Sequence, residues 1–201
     1  MKTLVLVCLL LITPSAYAGP ILGDWTTGFS TDYALNTASQ FDPGTYSFIE
    51  SHPLWVTPIG QPDGPTMFVN GRDDRTSTVW SKTFDAPADT TLTFSAWLGS
   101  VCCTLSSGLN FPGPTLNWLL NGSMFLNAST DGPGVMEPFS ASFNTGAGGP
   151  YTLSLVNQST VYNGNDFAMS NLDLQATPEP TSLLLLGTGC AFFVRRYRRR
   201  G

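Results

Sequence analysis

Turn-forming residues return at short intervals through the middle of this chain, and that return limits what it can fold into more than any other feature. Asn70–Asp74 (NGRDD), Asp85–Asp89 (DAPAD), Asn110–Pro114 (NFPGP), Asn121–Ser123 (NGS), Asp131–Gly134 (DGPG), Gly146–Pro150 (GAGGP) and Asn163–Asp166 (NGND) all carry Gly, Pro, Asn or Asp. Glycine supplies positive φ, proline fixes φ and removes a donor, and Asn and Asp side chains bond their own backbone. Between them lie Ser77–Phe84 (STVWSKTF), Thr90–Leu98 (TTLTFSAWL), Thr115–Leu120 (TLNWLL), Tyr151–Asn157 (YTLSLVN) and Phe167–Leu174 (FAMSNLDL). Their apolar residues alternate or cluster over strand lengths, with Thr66–Asn70 and Phe139–Phe143 as shorter candidates. Helix-forming stretches are nearly absent and aromatics are frequent. The pattern predicts an all-β chain folded as a single two-sheet β-sandwich.

Parity assigns the faces. Leu92, Phe94, Ala96 and Leu98 share one side of their strand and are expected in the core, which leaves Trp97 with Thr93 and Ser95 on the polar side. Trp118 aligns with Leu116 and Leu120, and Trp80 with Phe84, so both indoles are expected inside. In the last strand Phe167 and Met169 have one parity and Leu172 and Leu174 the other. All four point inward if a bulge falls near Ser170-Asn171.

The ends of the chain are different. Met1–Ala18 (MKTLVLVCLLLITPSAYA) has a basic start, an apolar run, Pro14 and small residues at Ala16 and Ala18, the layout of a secretory signal cut by signal peptidase after Ala18. Cys8 lies too early in it for lipidation. At the other end, Thr181–Val194 is apolar or small over fourteen residues, short of the roughly twenty of a comfortable span. The arginines from Arg195 to Arg200 can reach the headgroups and stay cytoplasmic, so the tail marks a transient hold in the inner membrane. Pro178-Glu179-Pro180 stands directly before it and presents an extended, exposed segment.

Pro-Glu-Pro, a short apolar helix and a terminal arginine cluster resemble the PEP-CTERM sorting signal of Gram-negative bacteria. The resemblance covers Thr177–Gly201 and matches at Pro178, Glu179 and Pro180. It implies recognition and removal of the tail by an exosortase, a cell-surface or extracellular destination, and association with exopolysaccharide, biofilm or floc. A plain tail anchor shares the apolar run and arginines but does not require the Pro-Glu-Pro. The organisation expected is therefore a signal peptide at 1–18, a β-sandwich domain at 19–176 and a sorting tail at 177–201.

Charge bounds the partners. From Gly19 to Glu179 the chain carries fourteen acidic side chains against Arg72, Arg75 and Lys82, about −11. Such a domain does not bind nucleic acid or an anionic membrane through charge. About 160 residues suffice for one domain with a sizeable core.

The order of Val79–Val101, Leu116–Gly122, Tyr151–Asn157 and Gly164–Leu174 resembles galactose-binding-like jelly rolls in exported PEP-CTERM proteins, and is similar to carbohydrate-binding modules of that fold. The resemblance spans Thr66–Leu174. Related domains commonly close on an acidic pair at the bulge that helps hold a structural calcium. Ser170 and Asn171 stand there in this chain, with Asp166 and Asp173 nearby as the carboxylates a weak calcium site could use. No other cofactor is implied.

Catalytic patterns are thin. His52 is the single histidine, and no HExxH, GxSxG or CxxC spacing occurs. Gly71–Arg75 (GRDDR) reads as a charged turn, an ion site or half of a carboxylate pair. Cys102 and Cys103, adjacent in an exported chain, are open to a strained vicinal disulfide, to pairing between chains, or to remaining free thiols. Binding has the better physical case. Trp97 with Ser95, Thr93 and Asn117, and Trp25 and Trp55 in loop-like segments, supply stacking faces and polar groups for a neutral polysaccharide. Trp97 is either offered to a ligand or covered by a loop. The expectation is a non-catalytic surface or matrix protein that binds polysaccharide. A structural matrix protein without a small ligand is the alternative, and a glycan-acting enzyme stands behind both.

Overall fold

The computed structural model describes residues 20–36, 42–49, 59–60, 63–102, 113–130, 133–161 and 163–177. Among the described residues there is no helix. The strands are β1 (Ala34–Leu35), β2 (Thr45–Phe48), β3 (Thr66–Asn70), β4 (Thr78–Ala86), β5 (Thr91–Ser100), β6 (Thr115–Leu120), β7 (Ser123–Ser129), β8 (Glu137–Asn144), β9 (Gly149–Asn157) and β10 (Phe167–Ala176). They form a six-stranded sheet in the order β1-β2-β3-β10-β5-β8 and a four-stranded sheet in the order β4-β9-β6-β7. Apart from the β6–β7 hairpin, every connection from β3 to β10 passes from one sheet to the other, which is the winding of a jelly roll.

Alternation drives the assembly. Leu92, Phe94, Ala96 and Leu98 on β5 face Trp118 and Leu116 of β6 and Trp80 of β4 across the core, each at most 1 % exposed. Phe94 and Trp118 are in ring contact at 4.5 Å, and Trp80 meets Trp118 edge-on at 6.1 Å. Phe167, Met169, Leu172 and Leu174 all reach this core because the β10 register against β5 shifts between Ser170 and Asp173, where Asn171 takes φ 50°. Asn tolerates that left-handed conformation better than other side-chain-bearing residues. The bulge thus falls where the parity conflict requires it.

The strand pattern misses β1, β2 and β7. Asn121 (φ 50°) and Gly122 (φ 78°) form a two-residue turn with both central φ positive, which joins β6 to β7 as a hairpin. The stretch Ser123–Ser129 was not among the sequence-predicted strands, because its side chains alternate poorly and Met124 stays 61 % exposed.

The segment ahead of β1 also departs from expectation. Trp25, expected in a loop as a stacking platform, is buried at 6 %, and its carbonyl accepts a hydrogen bond from Trp80 Nε1 at 3.0 Å. Phe29 stacks on Trp80 at 6.4 Å. Lys82 Nζ fastens the same segment by donating to the carbonyls of Asp24 (2.6 Å) and Thr27 (2.9 Å). Residues 20–33 are a strap closing one side of the core, so Trp25 is unavailable to a ligand.

Candidate functional site

The outward side of the six-stranded sheet carries the aromatic that parity singled out. With its even-numbered neighbours facing the core, β5 presents Thr93, Ser95 and Trp97 outward. Across the ladder, β8 sets Ser142, Ser140 and Pro138 opposite these three, and β10 sets Gln175, Asp173 and Ser170 opposite them. Thr93 Oγ1 lies 2.8 Å from Ser142 Oγ and 2.9 Å from Thr177 Oγ1. Gln175 Nε2 donates to Asp173 Oδ2. The result is a sheet face of hydroxyls, one carboxylate and one carboxamide, with an indole at its end.

Trp97 sits at a border. Towards the end of β5 the sheet is covered by a small apolar cluster of Phe68, Val101, Met136 and Ala168, with Ile49 and Trp97 packed against it. Gly99 makes this cover possible. A Cβ there would lie 2.6 Å from the Val135 carbonyl and 2.8 Å from Met136 Sδ, so no other residue lets the 133–136 segment lie so close to the sheet. Trp97 is two residues short of that contact and is half-buried, with the open polar face on its other side. Ser170, opposite it on β10, is fully buried and its Oγ has no hydrogen-bond partner.

The other expected contributors separate. Asn117 does not reach Trp97. It points outward from β6 in the four-stranded sheet, where Asn127 Nδ2 donates to its Oδ1 at 2.6 Å, so it lies on the opposite outer surface of the sandwich. Ser95 does adjoin Trp97's row. Asp166 and Asp173 do not converge on one ion: they are seven strand positions apart, about 20 Å at the usual rise, and Asp173 joins the Ser95 row instead. Among the described residues no group of three or more His, Cys, Asp or Glu could hold a metal. Cys102 is disulfide-bonded. Trp55, His52, Cys103, the signal residues Ala16 and Ala18, and Pro178, Glu179 and Pro180 lie outside the described residues.

Asp166 belongs to a buried polar knot at one end of the sandwich, which the sequence did not reveal. Gly71 N–H donates to Asp166 Oδ1 at 3.0 Å, Asn157 Nδ2 donates to the Asn165 carbonyl at 3.2 Å, and Asn165 Nδ2 donates to the Arg72 carbonyl at 3.1 Å. Burial pushes the Asp166 carboxyl up to about 7, against the smaller opposing effect of the Gly71 N–H. Gly71 is fitted to the knot, since a Cβ there would meet the Asn165 carbonyl at 2.5 Å and Asn157 Nδ2 at 2.6 Å. The adjoining Arg72–Arg75 stretch is a charged turn tied to the rest of the fold through Tyr33, Gln158 and Asn165. Asp74 accepts from Ser77 Oγ and from the Thr76 and Ser77 N–H groups, which hold its carboxyl below the usual range. The Arg72 guanidinium lies 5.3 Å over the Tyr33 ring and 3.9 Å from Asp74. Both Asp74 oxygens are thereby used within the turn.

Fold and face define a jelly-roll β-sandwich domain with an aromatic-edged polar sheet surface. The tail narrows the class further: residues 176–200 match the PEP-CTERM protein-sorting motif. The chain is an exported protein with a C-terminal sorting tail. No curated protein sequence matches it. Among solved structures it is similar to the sugar-binding EclA C-terminal domain (15 % identity, 58 % of this chain and 81 % of that one, TM-score 0.45). It is also similar to a cyclase from Fischerella sp. TAU (13 %, 66 % and 73 %, 0.48). A third is the CBM22-1 xylan-binding domain of Paenibacillus barcinonensis Xyn10C (11 %, 78 % and 90 %, 0.42).

Proposed function

We propose that this protein is a non-catalytic, exported module that binds neutral polysaccharide on the outer face of its six-stranded sheet. Trp97 is the stacking ring, and Ser95, Asp173 and Gln175 are the polar partners. The observation that carries this reading is the position of Trp97, partly buried where an apolar cover ends and a surface of hydroxyls begins. A sugar offers a C–H face to an indole and hydroxyls to such a surface, and needs no net charge. In the same reading an exosortase removes the tail at the inner membrane of a Gram-negative cell, and the domain joins the extracellular polysaccharide of a surface matrix.

The experiment is a pull-down of the protein on the producing organism's own extracellular polysaccharide, with Trp97→Ala alongside. Loss of about 0.5–1.5 kcal/mol of binding, the range for aromatic pairs beyond area burial, with stability retained supports the reading. The structural-matrix alternative draws on the contact between Trp97 and the Phe68–Met136 cluster. It is favoured instead if Trp97→Ala lowers stability while polysaccharide binding is unchanged or absent from the start.

A further inference from the structure

Two open sheets present four edge strands, and three of them are guarded here. β1 is two residues long. β4 is met by the strap, Ser30 and Ser81 exchanging backbone hydrogen bonds of 2.8 and 2.9 Å. β7 carries a register shift against β6 between Trp118 and Leu119, a bulge that twists an edge away from straight pairing. β8 is different. It runs for eight residues in unbroken register with β5, and among the described residues no strand lies beyond it. Glu137 and Pro138 guard its start, but from Pro138 to Asn165 the chain carries no Lys, Arg, Asp or Glu.

The register fixes what this edge offers. Thr145 N–H donates to the Thr90 carbonyl, and hydrogen-bonded pairs alternate along an antiparallel ladder. Phe139, Ala141 and Phe143 therefore turn their backbone groups to β5, while Ser140, Ser142 and Asn144 turn theirs to the open side. Pro138, which has no N–H to offer, falls in that outward row, as a proline in a sheet does. Ser140, Ser142 and Asn144 also have exposed side chains. Phe139 and Phe143 pack on the core but stay partly buried, Phe143 meeting Phe125 at 6.0 Å and Tyr151 at 5.8 Å. Outward backbone groups, small hydroxyls and an incompletely covered apolar stripe thus lie along one strand.

Charge selects the occupant. At about −11, two copies of the domain repel each other over most approaches. The β8 edge is an approach that sets no carboxylate against another. We propose that β8 pairs antiparallel with β8 of a second copy of this chain, about a two-fold axis at Ser142. Ser142 then faces the partner's Ser142 and Ser140 faces the partner's Asn144, each pair exchanging N–H and C=O groups. Phe143 lies opposite the partner's Ala141, which extends the cover of the apolar stripe, and Glu137 and Pro138 fall beyond the overlap. The match is self-complementary, as a two-fold interface requires. Two six-stranded sheets become one, and the pairing needs no sugar, so it stands apart from the Trp97 reading. One strand pair buries less than a permanent dimer does, so the association is micromolar.

The test is sedimentation velocity of the protein purified from the extracellular fraction, over roughly 1–300 μM. The parent should pass from monomer to dimer in that range. Ser142→Lys sets two lysines face to face without adding negative charge, and should raise the dimer Kd at least about tenfold. Ser140→Lys repeats the block should that variant fold poorly. Ser142→Cys should cross-link into a dimer under mild oxidation, because hydrogen-bonded partners sit about 5.5 Å apart at Cα, within reach of a disulfide. Ser140→Cys, and Asn127→Cys on the β7 edge, should cross-link at least about tenfold more slowly. A parent that stays monomeric throughout overturns the proposal. So does a dimer that both lysine variants leave intact, or Asn127→Cys linking as fast as Ser142→Cys, which would place the contact on β7.

Discussion

Replacing Asp166 by Asn should stabilise the protein increasingly as pH rises towards neutrality and leave it unchanged near pH 4 and below. The carboxyl is 7 % exposed, and burial raises it from 3.8 to about 7. Below pH 3.8 both folded and unfolded chains hold the proton and the group costs nothing. Between 3.8 and about 7 the unfolded chain ionises while the folded chain keeps its proton, so stability falls as pH rises. Above about 7 the folded state ionises too, and the penalty is constant. At 1.36 kcal/mol for each pH unit, the full penalty is about 4 kcal/mol. Asn keeps an oxygen for the Gly71 N–H and cannot ionise. The difference between variant and parent should therefore grow from near zero at pH 4 to about 4 kcal/mol at pH 8, or about 10 °C in Tm. Urea unfolding across that range gives the difference directly. A parent whose stability is flat or rising from pH 4 to 7, or a variant that tracks it in parallel, would show that Asp166 is solvated or paired in a way the knot geometry does not contain.

On the acid side the sign reverses: hydrogen bonds lower Asp24 and Asp74, so their contribution, small at exposed positions, is present above pH 3.8 and lost below it, seen as a slight fall in the unfolding midpoint under that pH. Trp118→Ala should cost about 3–5 kcal/mol, the range for truncating a buried aromatic, with a loss within measurement error by denaturant unfolding placing the ring outside the core. Gly71→Ala should cost about 1–3 kcal/mol by overpacking the knot, measured the same way and refuted by an unchanged midpoint. Replacing Pro178-Glu179-Pro180 by alanines should leave the tail uncut, so mass spectrometry of the surface fraction should lose the processed form, and recovery of normally processed protein would contradict the sorting role.

Apolar residues that alternate or cluster over strand lengths made β3, β4, β5, β6, β8, β9 and β10 legible, β3 as a short run buried on both sides. They even located the bulge, since four large side chains in conflicting parity leave β10 no other way to bury them. Parity states whether a side chain points in or out of its own sheet, but not which sheet that is. Asn117 was misplaced for that reason: β5 and β6 are consecutive along the chain but belong to opposite layers. Trp25 was missed because burial by a strap depends on long-range contacts, Trp80 above all, with no local periodicity to announce them. The knot at Asp166 was illegible for a similar reason. Its partners come from the β3–β4 connection (Gly71), the end of β9 (Asn157) and the β9–β10 connection (Asn165), and an Asp in a Gly-Asn-Asp turn looks solvated until topology buries it. The Asn121-Gly122 turn was readable as a hairpin signal, and following it would have supplied β7.

The place of β10 sets an order of assembly. It is the last described strand in the chain, yet it is central in its sheet, paired with β3 on one side and β5 on the other. A chain that emerges amino-terminus first must hold β3 and β5 as two unjoined edges until Phe167–Ala176 arrive. Open edges of this kind invite pairing with other chains, and contacts so distant in sequence form slowly. Closure therefore waits for the residues that run into the sorting motif, Thr177 at its start donating its N–H to the Thr91 carbonyl at 2.9 Å. The strand that completes the sheet and the sorting motif are adjacent in the chain, so the domain first becomes able to close just as the motif is made.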